Sequence, residues 1–236
     1  MKTKIADLIT EVPEAGGMAT RCQDYSYNGE EGADVIIRTN LYSPERYKNK
    51  LSESSLAYME SAYQFYKELV NHNGFFLHSS AICYEGKAYL FSGPSGMGKS
   101  THTELWMKTF GEDVKLFNDD KPALRYLDGK WYAYGTPWSG KNGININMKV
   151  PLAGICFLKQ AEANQIRRLT NKEAVQKILG QTIRRFPEAH MTFRLLSYVD
   201  SVVSSIPVFE LENRPEPEAV RLSYETMRRA AEELGL

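Results

Sequence analysis

Apolar positions along the chain follow two different periods. Between residues 53 and 72, Leu56, Met59, Tyr63, Tyr66 and Val70 recur at spacings of three and four. That spacing predicts an amphipathic helix with those side chains on one face, ended by Asn73-Gly74. Residues 75–84 and 87–92 are instead short apolar runs on either side of Glu85-Gly86. They predict two strands joined by a tight turn, which must therefore pair antiparallel. The second run leads straight into a glycine-rich loop, with a helix expected behind it over residues 99–110.

Further along, residues 114–117 form a short apolar strand that ends at Asn118-Asp119-Asp120. Residues 122–127 and 130–134 flank Asp128-Gly129, a hairpin signal. Residues 135–147 are rich in Gly, Asn, Pro and Ser and predict a loop, and residues 153–158 predict another strand. Thr170-Asn171-Lys172-Glu173 fits a capping box opening a helix to about residue 185. A helix over 191–205, a strand over 207–211 and a closing helix over 218–234 complete the pattern. The first fifty residues are turn-rich and give one strand, 34–39. The fold class is mixed α/β, with an antiparallel element beside the glycine-rich loop and a mainly helical C-terminal part. The chain is expected to be a single domain: residues 1–72 an N-terminal strand and helix region, 73–160 the core, 161–236 the helical part.

Composition narrows the function classes. The chain has 236 residues, 42% apolar and 25% charged, enough to bury a core. Lysine and arginine total 29, as do aspartate and glutamate. A net charge of zero with no basic run argues against nucleic acid or an anionic membrane as partner. Met1-Lys2-Thr3-Lys4-Ile5 is followed by Asp7, Glu11 and Glu14 rather than an apolar run, so no secretory leader is expected. No stretch approaches the ~20 apolar residues that cross a bilayer. Cys22, Cys83 and Cys156 are few and far apart, which suggests neither a disulfide framework nor a zinc site. A reduced, cytoplasmic setting is the expectation.

The strongest chemical signal is Gly93-Pro94-Ser95-Gly96-Met97-Gly98-Lys99-Ser100, followed by Thr101. It meets the G-x-x-x-x-G-K-[ST] pattern at every fixed position. Glycines let the backbone curl so that N–H groups point into one concavity, and the helix behind adds its positive end. Lys99 supplies a cation for the β and γ phosphates, and the Ser100 hydroxyl is suited to Mg²⁺. A random chain of this length matches the pattern in under about one case in a hundred. The loop therefore predicts binding of ATP with Mg²⁺.

Asp119 and Asp120 end a strand about twenty residues beyond the loop, where a metal-holding acid is needed. One carboxylate can hold Mg²⁺ while the other takes a proton from an attacking hydroxyl. The plainer alternative is a pair of Asx residues decorating a turn before Lys121-Pro122. His78, in an apolar strand, is by periodicity alone a core or edge residue.

The series Leu77-His78-Ser79-Ser80-Ala81, then Gly93 fifteen residues after His78, then Asp119-Asp120 resembles the HPr kinase/phosphorylase family. More remotely it resembles ATP-dependent phosphoenolpyruvate carboxykinase. The resemblance spans about residues 75–158. It implies the nucleotide-binding fold shared by those families, with residues 93–100 as the ATP loop and Ser100 with Asp120 as the Mg²⁺ site. It further implies Asp119 as the general base and His78 close to the metal and the γ-phosphate. An acidic residue follows the loop serine in HPr kinases, whereas Thr101 stands here. Members of that family assemble, so the resemblance leaves room for a homo-oligomer.

Other residues have competing explanations. Trp138, Ser139, Gly140, Lys141 and Asn142 suit either a lid or substrate contact, with Lys141 neutralising a phosphoryl group, or an ordinary surface loop anchored by Trp138. Arg184-Arg185 close a helix and meet its dipole, a phosphate clamp being the alternative. Trp106 and Trp131 are expected to pack, and Tyr58, Tyr63 and Tyr66 to need no role beyond their helix. Arg228-Arg229 with Glu225, Glu232 and Glu233 read as a solvated face. Together these signals predict a kinase that phosphorylates a hydroxyl on a peptide, a protein or a small serine-like molecule. An ATP-hydrolysing switch and a nucleotide-sensing module without turnover are the alternatives.

Overall fold

The computed structural model describes residues 1–38, 52–140 and 142–236. At the N-terminus, β1 (Lys2–Ile5) and β2 (Leu8–Glu11) pair antiparallel, and β3 (Val35–Ile36) joins β2 in parallel. The sequence showed only the last of these, and predicted it longer. Thr39 lies outside the described residues. The β1–β2 turn puts Ala6 and Asp7 at φ of 51° and 61° without a glycine. Tertiary contacts hold it there: Arg125 Nη1 donates to the Ala6 carbonyl at 2.7 Å, and Tyr134 Oη donates to Asp7 Oδ2 at 2.7 Å. A short helix, α1 (Met18–Arg21), follows.

Helix α2 (Glu53–Leu69) starts at Ser52, whose Oγ accepts the Ser55 N–H at 3.2 Å. Its buried face is Ser61, Ala62, Phe65, Tyr66 and Leu69. Of the expected face, Tyr66 and Val70 are buried, and the rest is corrected in phase. Met59 is 49% exposed, because the helix packs against Trp138 and the N-terminal layer rather than along the stripe that periodicity picked out.

Residues 75–84 are not one strand. β4 (Gly74–Phe76) pairs with β8 (Ala123–Leu127), whereas β5 (Ser79–Tyr84) pairs with β6 (Lys87–Ser92) and β7 (Lys115–Asn118). His78 lies at the break. The β5–β6 turn has Glu85 and Gly86 both at positive φ, as a two-residue hairpin requires. Asp128-Gly129 does the same between β8 and β9 (Lys130–Tyr134). Strand β10 (Lys149–Gln160) is longer than expected. Its first residues pair antiparallel with β9, and the rest runs parallel to β6 and to β12 (Val208–Asn213). β11 (Gln165–Arg168), which hydrophobic patterning does not predict, pairs with β12. Among the described residues this sheet has nine strands.

Helix α3 (Lys99–Phe110) leaves the glycine-rich loop. α4 (Asn171–Gly180) has the expected capping box at Thr170 and Glu173 but ends before Arg184-Arg185, so those arginines do not close a helix. α5 (Ala189–Ser205) and α6 (Pro217–Glu233) follow. Alternation along β6 builds the layers. Ala88 and Leu90 face the core under α4 and α5, while Tyr89 and Phe91 face the core under α3 and α6. Trp106 and Trp131 are buried packing residues, as expected. No helix among the described residues is long and apolar enough to cross a membrane.

Candidate functional site

The glycine-rich loop joins the C-terminal end of β6 to the N-terminus of α3. Gly93, Gly96 and Gly98 hold φ of 144°, 86° and 91°. Side-chain-bearing residues rarely adopt these values, which is why the loop needs glycine there. Lys99 Nζ folds back to the carbonyls of Gly93 and Pro94, at 2.8 and 3.2 Å. Burial lowers its pKa, and Asp120 opposes that shift. Thr103 donates to the Ser100 carbonyl at 3.1 Å, tying the helix's first turn.

Across from the loop, the β7 end carries the aspartates. Asn118 is fully buried, and its Oδ1 accepts the backbone N–H groups of Asp120 (3.1 Å) and Lys121 (2.7 Å). Its amide donates to the Thr136 carbonyl at 3.0 Å. This Asx turn sets the direction of both carboxylates. His78 then bridges elements: Nε2 lies 3.1 Å from Asp120 Oδ1 and Nδ1 lies 2.9 Å from Gln181 Oε1. The Ser92 hydroxyl donates to the His78 carbonyl at 2.8 Å, fixing the break between β4 and β5.

The two aspartates are in different environments. Burial would raise the pKa of Asp120, but the His78 hydrogen bond and the Lys121 ammonium on Oδ2 outweigh it and bring it to about 2. Asp119 is pushed up by burial, and the Gly140 N–H bound to its Oδ1 only partly opposes this. Adjacent carboxylates pushed apart in this way suit one permanent anion and one proton acceptor. Burial disfavours the Lys121 ammonium, yet Tyr58 and Asp120 more than offset it, so its pKa is raised.

One cavity of about 760 Å³ is lined by Ser95, Gly96, Gly98, Lys99, Ser100 and Thr101 on one side and His78, Asp119 and Asp120 on the other. Of the expected loop residues, Gly93, Pro94 and Met97 shape the turn without lining this cavity. Its remaining wall includes Arg21, Ser54, Ser55 and Tyr58. Tyr58 therefore needs more account than its helix. Its hydroxyl donates to the Ser139 carbonyl at 2.8 Å and receives a hydrogen bond from Lys121 at 3.0 Å. Nothing in the sequence marks Tyr58 or Gln181, whose partners Ser139 and His78 lie 81 and 103 residues away. Gly140 stood in a loop with other candidates but was not tied to Asp119.

The segment from Gly135 to Ser139 is buried rather than a surface loop. Trp138 packs on Phe65 with ring centroids 4.7 Å apart, and its Nε1 donates to Ser61 Oγ at 3.0 Å. Lys141 lies outside the described residues.

Among solved structures the chain is similar to the Hpr(Ser) kinase/phosphatase from Coxiella burnetii. The two are 13% identical over 67% of this chain and 95% of that one, with a TM-score of 0.36. No curated protein matches the chain. The family described as SynChlorMet cassette protein ScmC matches residues 47–212, which is most of the chain, and the protein therefore belongs to the ScmC family.

Proposed function

We propose that the protein is an ATP- and Mg²⁺-dependent kinase that moves the γ-phosphate to a hydroxyl of a peptide, a protein or a small serine-like molecule. The supporting observation is the shared cavity: a G-x-x-x-x-G-K-S loop faces two neighbouring aspartates of opposite pKa shift.

The donor set suits Mg²⁺. Among the described residues no three His, Cys, Asp or Glu side chains stand together as a cage. Mg²⁺ does not need one, since it usually takes one or two protein oxygens and completes its shell with phosphates and water. The Ser100 hydroxyl and the ionised Asp120 would hold it. Bound there, the ion neutralises charge on the phosphate oxygens.

The chain's own groups account for the rest. Lys99 leaves the Gly93 and Pro94 carbonyls for the phosphates, and loop N–H groups cradle them. Asp119 accepts the proton of the acceptor hydroxyl. The freed oxygen bonds to the γ-phosphorus as its bond to the bridging oxygen breaks, and ADP carries away that electron pair. Positioning and charge neutralisation supply the rate, with no covalent enzyme intermediate. His78 and Asn118 are positioning residues acting through Asp120.

The test is ³¹P NMR of the protein with Mg-ATP and a panel of acceptors (free serine, serine peptides, a small phosphocarrier protein). A phosphoester resonance that requires acceptor and disappears in Asp119→Asn supports the kinase. ADP and free phosphate released equally with or without acceptor would overturn it in favour of a hydrolytic switch.

A further inference from the structure

A second cavity, of about 320 Å³, lies on the other flank of the loop. Met97, Gly98, Thr101, His102, Gln160, Ala161, Asn213 and Pro215 line it. Gly98 and Thr101 line the phosphate-side cavity as well, so the two spaces adjoin across the first turn of α3. Its place in the fold is telling. β6, β10 and β12 are mutually parallel, and the loop, Gln160 and Asn213 continue or end those strands. The cavity thus sits outside the carboxyl ends of parallel strands, where open α/β sheets receive ligands. Gln160 ties it to the loop by donating from Nε2 to the Gly96 carbonyl at 3.0 Å.

A second observation points the same way. Among the described residues, the buried side-chain polar atoms without a hydrogen-bond partner are His102 Nδ1 and Asn213 Oδ1, and both residues line this cavity. Leaving such an atom unpaired is costly, so a built site is the economical explanation. Their chemistry is complementary. Trp106 Nε1 can only donate, and it lies 3.2 Å from His102 Nε2, which makes Nε2 the acceptor and leaves the proton on Nδ1. One unpaired donor and one unpaired acceptor, both nearly closed to solvent, thus belong to residues of the cavity wall, together with apolar surface from Met97, Ala161 and Pro215. Asn213 is only half-buried, so its side chain can turn toward an occupant.

We propose that this cavity is the nucleobase subsite, and that His102 and Asn213 read an adenine edge. The exocyclic amine donates to Asn213 Oδ1, a ring nitrogen accepts from His102 Nδ1, and the flat faces lie against Met97 and Pro215. The inference rests on the phosphate-binding reading of the loop and adds base recognition to it.

Binding of ATP, GTP, CTP, UTP and tripolyphosphate, each with Mg²⁺, separates the two. The expected result is ATP at least roughly tenfold tighter than tripolyphosphate and the other nucleotides, the worth of about one base-edge hydrogen bond pair. In Asn213→Leu that advantage shrinks toward one. Because His102 is in the core, its arm is spectroscopic: the imidazole ¹⁵N resonances of the wild-type protein shift with ATP but not with tripolyphosphate. Tripolyphosphate binding as tightly as ATP would overturn the base subsite while leaving the phosphate loop standing. An ATP preference unchanged in Asn213→Leu, or a preference for another base, would overturn the assignment to adenine at these residues. No binding of any of the five would overturn the phosphate reading itself, and the inference with it.

Discussion

His78 Nε2 stands 3.1 Å from Asp120 Oδ1, linking the break between β4 and β5 to the end of β7. The contact joins the start of β5, the strand paired with the loop-bearing β6, to the aspartate pair at the end of β7, and Gln181 steadies the other ring nitrogen. If Asp120 holds Mg²⁺, His78 orients that ligand. Its replacement in His78→Ala should therefore raise the Mg²⁺ concentration needed for half-maximal transfer by about 10- to 100-fold. A Mg²⁺ titration of phosphoryl transfer reads this. An unchanged midpoint would remove His78 from the site's support.

Gly140 approaches Asp119 closely. A Cβ there would sit 3.0 Å from Asp119 Oδ2 and 3.2 Å from Oδ1, so Gly140→Ala must push the carboxylate by a few tenths of an ångström. Turnover should fall by roughly tenfold with thermal stability little changed, since misplacing a reacting group is costly in rate. Steady-state kinetics beside a melting curve would check both halves.

Lys99 is half-buried and donates to two loop carbonyls. Lys99→Ala should lower transfer by on the order of 10³-fold, the scale for losing one aimed charge-stabilising donor. The far-ultraviolet circular dichroism and the melting temperature should stay near those of the parent. Wild-type turnover in this variant would contradict the phosphate role.

Trp138 is fully buried between Phe65 and Tyr66, and through it the segment before Gly140 is anchored to α2. Trp138→Ala should cost about 3–5 kcal/mol in a urea titration, combining lost apolar burial with a cavity. Trp138→Phe should recover most of that cost, while leaving the Ser61 hydroxyl without its donor.

Burial holds His102 neutral with a pKa near 3, against about 6.5 in an unfolded chain. Below that unfolded value, only the unfolded chain takes up the proton, so native stability is lost as pH falls from about 6.5 toward 3. The expected loss is roughly 1.4 kcal/mol between about pH 7.5 and 5.5. His102→Phe, which keeps a ring against Phe91, should lack this component. Parallel denaturation curves at the two pH values would show equal losses if the proton linkage were absent.

Much of the site could be read from the sequence because its signals are local. The glycine-rich loop, the hairpin turns at Glu85-Gly86 and Asp128-Gly129, and the Thr170–Glu173 capping box each declare themselves within a few residues, where backbone sterics and short hydrogen bonds decide the conformation. What escaped was held by contacts distant along the chain. The Ala6-Asp7 turn has no glycine and is held left-handed by Arg125 and Tyr134. Periodicity places Tyr66 correctly on the buried face of α2 but also puts the exposed Met59 there, because Trp138, far along the chain, decides which side packs.

By itself, the sequence determined the mixed α/β class, the antiparallel pair beside the loop, and the glycine-rich loop with the aspartate pair about twenty residues beyond it. Only the tertiary structure decided that Asp119 and Asp120 differ, because their environments come from His78, Lys121 and Gly140 on separate elements. It alone brought Tyr58 to the cavity wall and set His102 beside Asn213. The physical reason is common to all of these. A residue's local conformation is fixed by its nearest neighbours in sequence, whereas its burial, its hydrogen-bond partner and its proton affinity are fixed by whatever the folded chain packs against it.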